Sequence, residues 1–145
     1  MKLVLQRVAR ASVCVDGRTI ADISKGLLIL FGSEKQDSPD KVHYLADKAL
    51  KLRIFQDALG KMNLSCLDIF GEVLVVSQFT LAGDCTRGRR PGFDNAAEPR
   101  EAESLYRQFV ERVSESGLIV KEGQFGVDMQ VELVNDGPVT FILER

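Results

Sequence analysis

Short apolar stretches separated by polar punctuation run along this chain and predict its strands. Residues 2–10 and 12–16 read as strands, and Asp16-Gly17 supplies a tight hairpin turn into another at 18–23. After Gly26, the unbroken run Leu27-Leu28-Ile29-Leu30-Phe31 has the character of a strand buried on both faces. The periodicity then lengthens: Val42, Leu45, Ala46, Ala49 and Leu52 follow Ser38-Pro39, predicting an amphipathic helix over 39–53 with an N-cap hydroxyl and proline at its first position. A hairpin is expected around Asp57-Ala58-Leu59-Gly60, and a second buried strand at 73–76 runs directly into Ser77-Gln78-Phe79-Thr80. Residues 82–97 are rich in glycine and arginine and read as a loop. A second helix starts near Pro99, with Ala102, Leu105, Tyr106, Phe109, Val110 and Val113 on one stripe and Gly117 as its stop. Strands at about 118–122, 127–135 and 138–144 finish the chain, the last two joined through Asp136-Gly137. The pattern specifies one α/β domain, residues 1–145, whose helices cover mixed sheet.

Composition narrows the class without adding an activity. With 45% hydrophobic and 28% charged residues, the 145-residue chain is ordinary globular material. No apolar run approaches the ~18–20 residues that span a bilayer, and Gln6, Arg7 and Arg10 interrupt any signal-like stretch at the start. A cytoplasmic protein with no membrane partner is expected. The net charge of −2 argues against wrapping a long nucleic-acid backbone, though not against gripping a few terminal nucleotides. Cys14, Cys66 and Cys85 are too scattered for a disulfide framework or zinc site and read as reduced, mostly buried thiols.

Conventional catalytic sets are nearly absent. His43, the only histidine, lies one residue off the apolar stripe of the first helix and reads as a surface or boundary residue. There is no phosphate-loop or dinucleotide motif, and neither a metal nor a cofactor is called for.

Three segments remain, each with two readings. Ser77-Gln78-Phe79-Thr80 is either a continuing strand with Phe79 in the core, or a sheet-edge ledge presenting hydroxyl and amide groups; Thr80 could act as a nucleophile only with a base, and none is evident. Gly137-Pro138 is either a simple turn or a fixed elbow whose carbonyls face a ligand. Arg87, Arg89 and Arg90 form either a solvated loop or a phosphate-gripping one, with Phe93 available to stack on a base.

At these residues the sequence resembles the D-aminoacyl-tRNA deacylase family, also called D-tyrosyl-tRNA deacylases. The match runs from Leu5-Gln6-Arg7-Val8 through Ser77-Gln78-Phe79-Thr80-Leu81 and Arg90-Pro91-Gly92-Phe93 to Asp128-Met129 and Asn135-Asp136-Gly137-Pro138-Val139-Thr140, over essentially the whole chain. Gly92 stands where the family more often has serine, and Val127 where a small residue is expected. The resemblance implies a compact α/β homodimer, its mixed sheet forming a barrel-like core under two main helices, with active sites at the subunit interface. It implies a cis Gly137-Pro138 bond that reaches into the partner's site, where main-chain carbonyls contact the substrate's α-amino group and exclude L side chains. Ser77, Gln78, Phe79 and Thr80 would line the opposite wall, around the 3′-terminal adenosine and the ester of an aminoacyl-tRNA. Arg7, Met129 and Asn135 would support motif and pocket. The implied activity is hydrolysis of D-aminoacyl-tRNA, and of mischarged glycyl-tRNA, as proofreading in translation. Two routes stay open: hydrolysis assisted by the ribose 2′-hydroxyl, and a covalent mechanism through Thr80. The alternatives are a non-catalytic RNA 3′-end binding module and a structural dimer.

Overall fold

In the computed structural model, which describes residues 1–145, one long strand organises the sheet. β1 (Lys2–Val15) runs for 14 residues without a break, where the sequence suggested two strands. It is followed by β2 (Arg18–Ile23) and β3 (Gly26–Gly32). Asp16 and Gly17 both take positive φ, 49° and 74°, as the expected tight turn requires. α1 (Pro39–Lys51) comes next, then a small hairpin of β4 (Phe55–Gln56) and β5 (Met62–Leu64), then β6 (Glu72–Ser77). A 3-10 turn at Phe79–Ala82 precedes α2 (Pro99–Ser114), β7 (Val120–Glu122) and β8 (Gln130–Glu144). Ser38 occupies the N-cap of α1, but its hydroxyl makes no capping bond, contrary to expectation. Gly117 stops α2 at φ 78°.

The principal sheet has six strands in the order β2-β1-β3-β6-β7, with β8 along the other edge of β1. On one side β1 divides its partners: residues 2–8 pair with β3 and residues 11–15 with β2, both antiparallel. That division turns a corner. Leu3 and Leu5 face the core under the helices, whereas Ala11 and Val13, also odd-numbered, face the opposite one. Alternation therefore slips by one residue, and the pairing with β8 shifts register between Val8 and Arg10. Such an irregularity bends a strand and lets a sheet curl.

The curl nearly closes the mixed sheet into a barrel. Val8, Val13, Ile23, Leu28, Leu74 and Val76 fill its inside. On the outer face Leu27, Ile29, Phe31, Val73 and Val75 pack against α1 and α2 through Leu45, Ala49, Tyr106 and Phe109. β3 and β6 thus bury both faces, which is why they read as unbroken apolar runs. No helix is long and apolar enough to cross a membrane.

Candidate active site

β6 ends by design of its neighbours. Gln78 donates its backbone N–H to the Phe31 carbonyl at 2.7 Å, the last rung beside β3, and the chain then tightens, with Leu81 N–H bonded to the Gln78 carbonyl at 3.2 Å. Gly32 makes room for the turn, since a Cβ there would lie 2.8 Å from the Leu81 Cβ and 2.9 Å from the Gln78 oxygen. Ser77 and Gln78 are half-buried, and Thr80 is exposed. Phe79 is 59% exposed, so the core placement is wrong and the ledge is what forms. Its ring meets Phe93 at 5.1 Å between centroids.

The Thr80 hydroxyl has one hydrogen-bond partner, the Gln78 Nε2, which donates to it at 2.6 Å. No base adjoins it. His43 sits exposed on α1, as its position predicted. The opening N–H groups of a helical turn have no partner inside it, and those of Phe79 and Thr80 donate to no other backbone carbonyl.

The second segment is a bulge inside β8, where the sequence suggested a turn between separate strands. Gln6 pairs with Thr140 and Val8 with Asn135, so residues 136–139 are extruded opposite Arg7 alone. Gly137-Pro138, at the tip, is cis and exposed. Asn135 clamps the neck: its Oδ1 accepts the Val139 N–H at 2.7 Å, and its Nδ2 donates to the Thr140 hydroxyl at 3.0 Å. Gln6 donates to the same hydroxyl at 3.3 Å.

Arg7 braces the bulge from beneath. Only 5% exposed, it donates Nε–H to the Asp136 carbonyl at 2.8 Å and Nη1–H to the Ile54 carbonyl at 2.6 Å. The Asp136 carboxylate adds a contact at 3.5 Å. A planar guanidinium suits such two-sided bracing. Gly137 must lack a side chain here, because its φ is 148° and a Cβ would lie 2.6 Å from Val139 Cγ2. Ile54 and Gly32 carry no chemical label and were not expected at the site, the glycine ending an apolar run being the one available signal; Gln6 lay in the matched Leu5-Gln6-Arg7-Val8 stretch but without an expected role.

Met129 lies beside Gly123 and near Val76, the residue before Ser77. It is half-buried, its sulfur accepts the Gln124 N–H at 3.3 Å, and it packs toward the inside of the barrel. Of the cysteines, Cys66 is buried, and burial pushes its thiol up to about 12, but Cys14 is only partly covered and Cys85 is exposed. The expectation of mostly buried thiols fails at Cys85, which sits on a surface loop. No three His, Cys, Asp or Glu side chains gather as metal ligands. Cavities of about 720 and 640 Å³, along α1 and beside β2, are lined by neither segment.

A family model described as D-Tyr-tRNA(Tyr) deacylase matches residues 4–144. The chain belongs to that family. These are hydrolases of the aminoacyl-tRNA ester bond. Among its curated relatives, the D-aminoacyl-tRNA deacylase of Geotalea uraniireducens is 60% identical over 99% of this chain and 93% of its own. That of Thermodesulfovibrio yellowstonii is 57% identical over 99% and 98%. A solved structure titled c-Myc DNA Unwinding Element Binding Protein superposes with a TM-score of 0.94 at 41% identity, covering 100% of this chain and 99% of its own. Another, titled as a probable eukaryotic D-amino acid tRNA deacylase, has a TM-score of 0.84 at 17% identity over 98% of this chain and 97% of its own, a likeness of fold.

Proposed function

We propose that this deacylase removes D-amino acids from the 3′ end of tRNA as a homodimer, proofreading chirality in the cytoplasm. The observation that carries the proposal is the Asp136–Val139 bulge, braced by Arg7 and pointed outward from an edge strand. β8 pairs with β1 on one side only and exposes Val134, Phe141 and Ile142. An unpaired apolar edge of this kind favours a second subunit. Each bulge then completes the partner's site, which is consistent with the absence of a cavity lined by both motifs among those described above.

In that site the main-chain carbonyls around Gly137 and Pro138 accept hydrogen bonds from the substrate's α-ammonium group and leave no space for an L side chain. Ser77, Gln78, Phe79 and Thr80 of the facing subunit hold the terminal adenosine. Asn135 and Arg7 keep the elbow rigid, and Met129 supports the pocket wall. Water adds to the ester carbonyl; the N–H groups of Phe79 and Thr80 stabilise the oxyanion, and the ribose 2′-hydroxyl relays the proton to the departing 3′-oxygen. The products are free D-amino acid and tRNA. An activated ester needs positioning more than a nucleophile, and Thr80 has no base. Recognition through the main chain makes the enzyme indifferent to which D side chain is bound and admits glycine.

The test is a paired deacylation assay without added metal. D-aminoacyl-tRNA and glycyl-tRNA should be hydrolysed and the L-ester spared. Equal decay of D- and L-esters with and without protein would end the proposal, and binding without turnover would select an RNA-end binding module.

A further inference from the structure

Arg87, Arg89 and Arg90 are exposed, and no ion pair in the chain includes any of them. Other unpaired cations, such as Arg18, Lys25, Lys61 and Lys121, are scattered along the chain, whereas these three fall within four consecutive residues. Three unmatched like charges on a short loop repel one another, and the chain carries a net charge of −2. An arrangement of that kind fits a polyanion better than solvent.

The loop is also held in place. Asp84 and Gly92 exchange both backbone hydrogen bonds at 2.8 and 2.9 Å, and Thr86 N–H bonds the Asp84 carboxylate at 2.9 Å. Phe93, next after the closing pair, seats its ring against Phe79 and so close to Gly83 that a Cβ there would lie 3.1 Å from it. Beyond it, Asn95 and Ala96 are tied to Lys35 and Glu34. Both feet of the loop therefore rest beside the Phe79–Thr80 turn, and the segment that carries the three arginines joins directly to the exposed aromatic pair through Phe93. Cations flanking a stacking platform are the elements of single-strand recognition. The groove along α1 offers Lys48, Lys51 and Arg53, but Lys51 faces Asp47 and Arg53 is bonded to the Asn63 carbonyl.

We infer that Arg87, Arg89 and Arg90 grip the phosphodiesters of the single-stranded 3′ end of the tRNA whose terminal ester reaches the Ser77–Thr80 turn. This rests on the deacylase reading and adds the contact that anchors the macromolecular part of the substrate. Bidentate guanidinium–phosphate bonds fix the strand's direction, and the loop reads no base.

The experiment compares the wild type with an R87Q/R89Q/R90Q variant, an R87K/R89K/R90K variant, and a K48Q/K51Q variant of the α1 groove. Three single-strand phosphate contacts contribute a salt slope of about 2 in log–log terms, or about 20-fold in affinity between about 50 and 200 mM salt. The glutamine triple variant should lose that slope and raise KM for D-aminoacyl-tRNA by a similar factor at low salt, with kcat little changed. It should hydrolyse a D-aminoacyl ester of adenosine, which has no phosphate, like the wild type. The lysine triple and the α1 variants should keep the slope. Unchanged KM and slope in the glutamine variant would overturn the inference, as would an equal loss on the adenosine ester or transfer of the effect to the α1 variant. Fluorescence anisotropy with an uncharged RNA hairpin ending in single-stranded CCA gives a readout independent of turnover. If the wild type cleaves no ester, the deacylase reading falls, and this binding measurement still decides the loop: lost affinity in the glutamine variant upholds it, and equal affinity overturns it.

Discussion

Arg7 donates its Nε–H to the carbonyl of Asp136 at 2.8 Å, directly before the exposed Gly137-Pro138 pair, while its other arm holds the Ile54 carbonyl. One buried guanidinium thereby joins the chain after α1 to the elbow of β8. Its removal should loosen both.

Arg7→Ala should lower unfolding stability by about 3 kcal/mol, because two carbonyls lose a charged donor and the buried Ile54 oxygen gains no water. The D/L rate ratio should fall by about tenfold, equivalent to 1.4 kcal/mol of lost positioning. Urea unfolding and the paired deacylation assay measure the two effects. Unchanged selectivity in a folded Arg7→Ala protein would remove Arg7 from the elbow's support.

Thr80→Ala separates the two chemical routes. Loss of the Gln78–Thr80 hydrogen bond should slow single-turnover hydrolysis by about fivefold, the equivalent of roughly 1 kcal/mol. A covalent nucleophile would instead cost about four orders of magnitude or more. A collapse to background with an intact circular dichroism spectrum would restore the covalent mechanism.

Gly32→Ala places a Cβ 2.8 Å from that of Leu81 and 2.9 Å from the Gln78 oxygen, both parts of the turn itself. Overpacking of this kind costs about 1–3 kcal/mol. The turn should shift, reducing kcat/KM while far-UV dichroism stays the same. Wild-type activity in this variant would show that the ledge tolerates displacement.

Acid stability should depend on Asp37. Burial alone would raise its carboxyl, but hydrogen bonds from Lys41, the Met1 ammonium and the Glu34 N–H outweigh burial and hold it below the usual carboxylate range. The folded value thus lies under the unfolded one of about 3.9. Its contribution is complete above that value and disappears as pH falls through the lower, folded one. Asp37→Asn should lower stability near neutrality by about 3 kcal/mol, the penalty for breaking a buried pair. It should also flatten the decline below about pH 4. Urea midpoints across this range test both, and parallel profiles would exclude Asp37 as the titrating group.

Much of the fold is legible locally. The Asp16-Gly17 turn, the stripes of α1 and α2 and the apolar runs of β3 and β6 follow from short-range period and turn chemistry, and the structure places them as read, save that α1 ends at Lys51 and buries Leu50 where Leu52 was expected. The breaks proposed within β1 and β8 are not there. Arg10 and Asp136 looked like strand ends because polar residues punctuate sequences, yet the two strands pair with each other along most of their length. Partner strands far away in sequence decide continuity, and no local window contains them.

The same division applies to the site. Residue types alone singled out Ser77–Thr80 and Gly137-Pro138 and left each with two readings, with no base evident to activate Thr80; the resemblance extended the second segment to Asn135–Thr140. Only the tertiary structure decided that Phe79 stands outside the core, that Asp136–Val139 is an extruded bulge, and that Arg7 is buried beneath it. A hydrophobic pattern specifies which face of an element seeks a core. Long-range hydrogen bonds such as those from Arg7 to Ile54 and Asp136 determine what happens where the pattern is interrupted, because a buried donor must find its acceptors wherever the folded chain brings them.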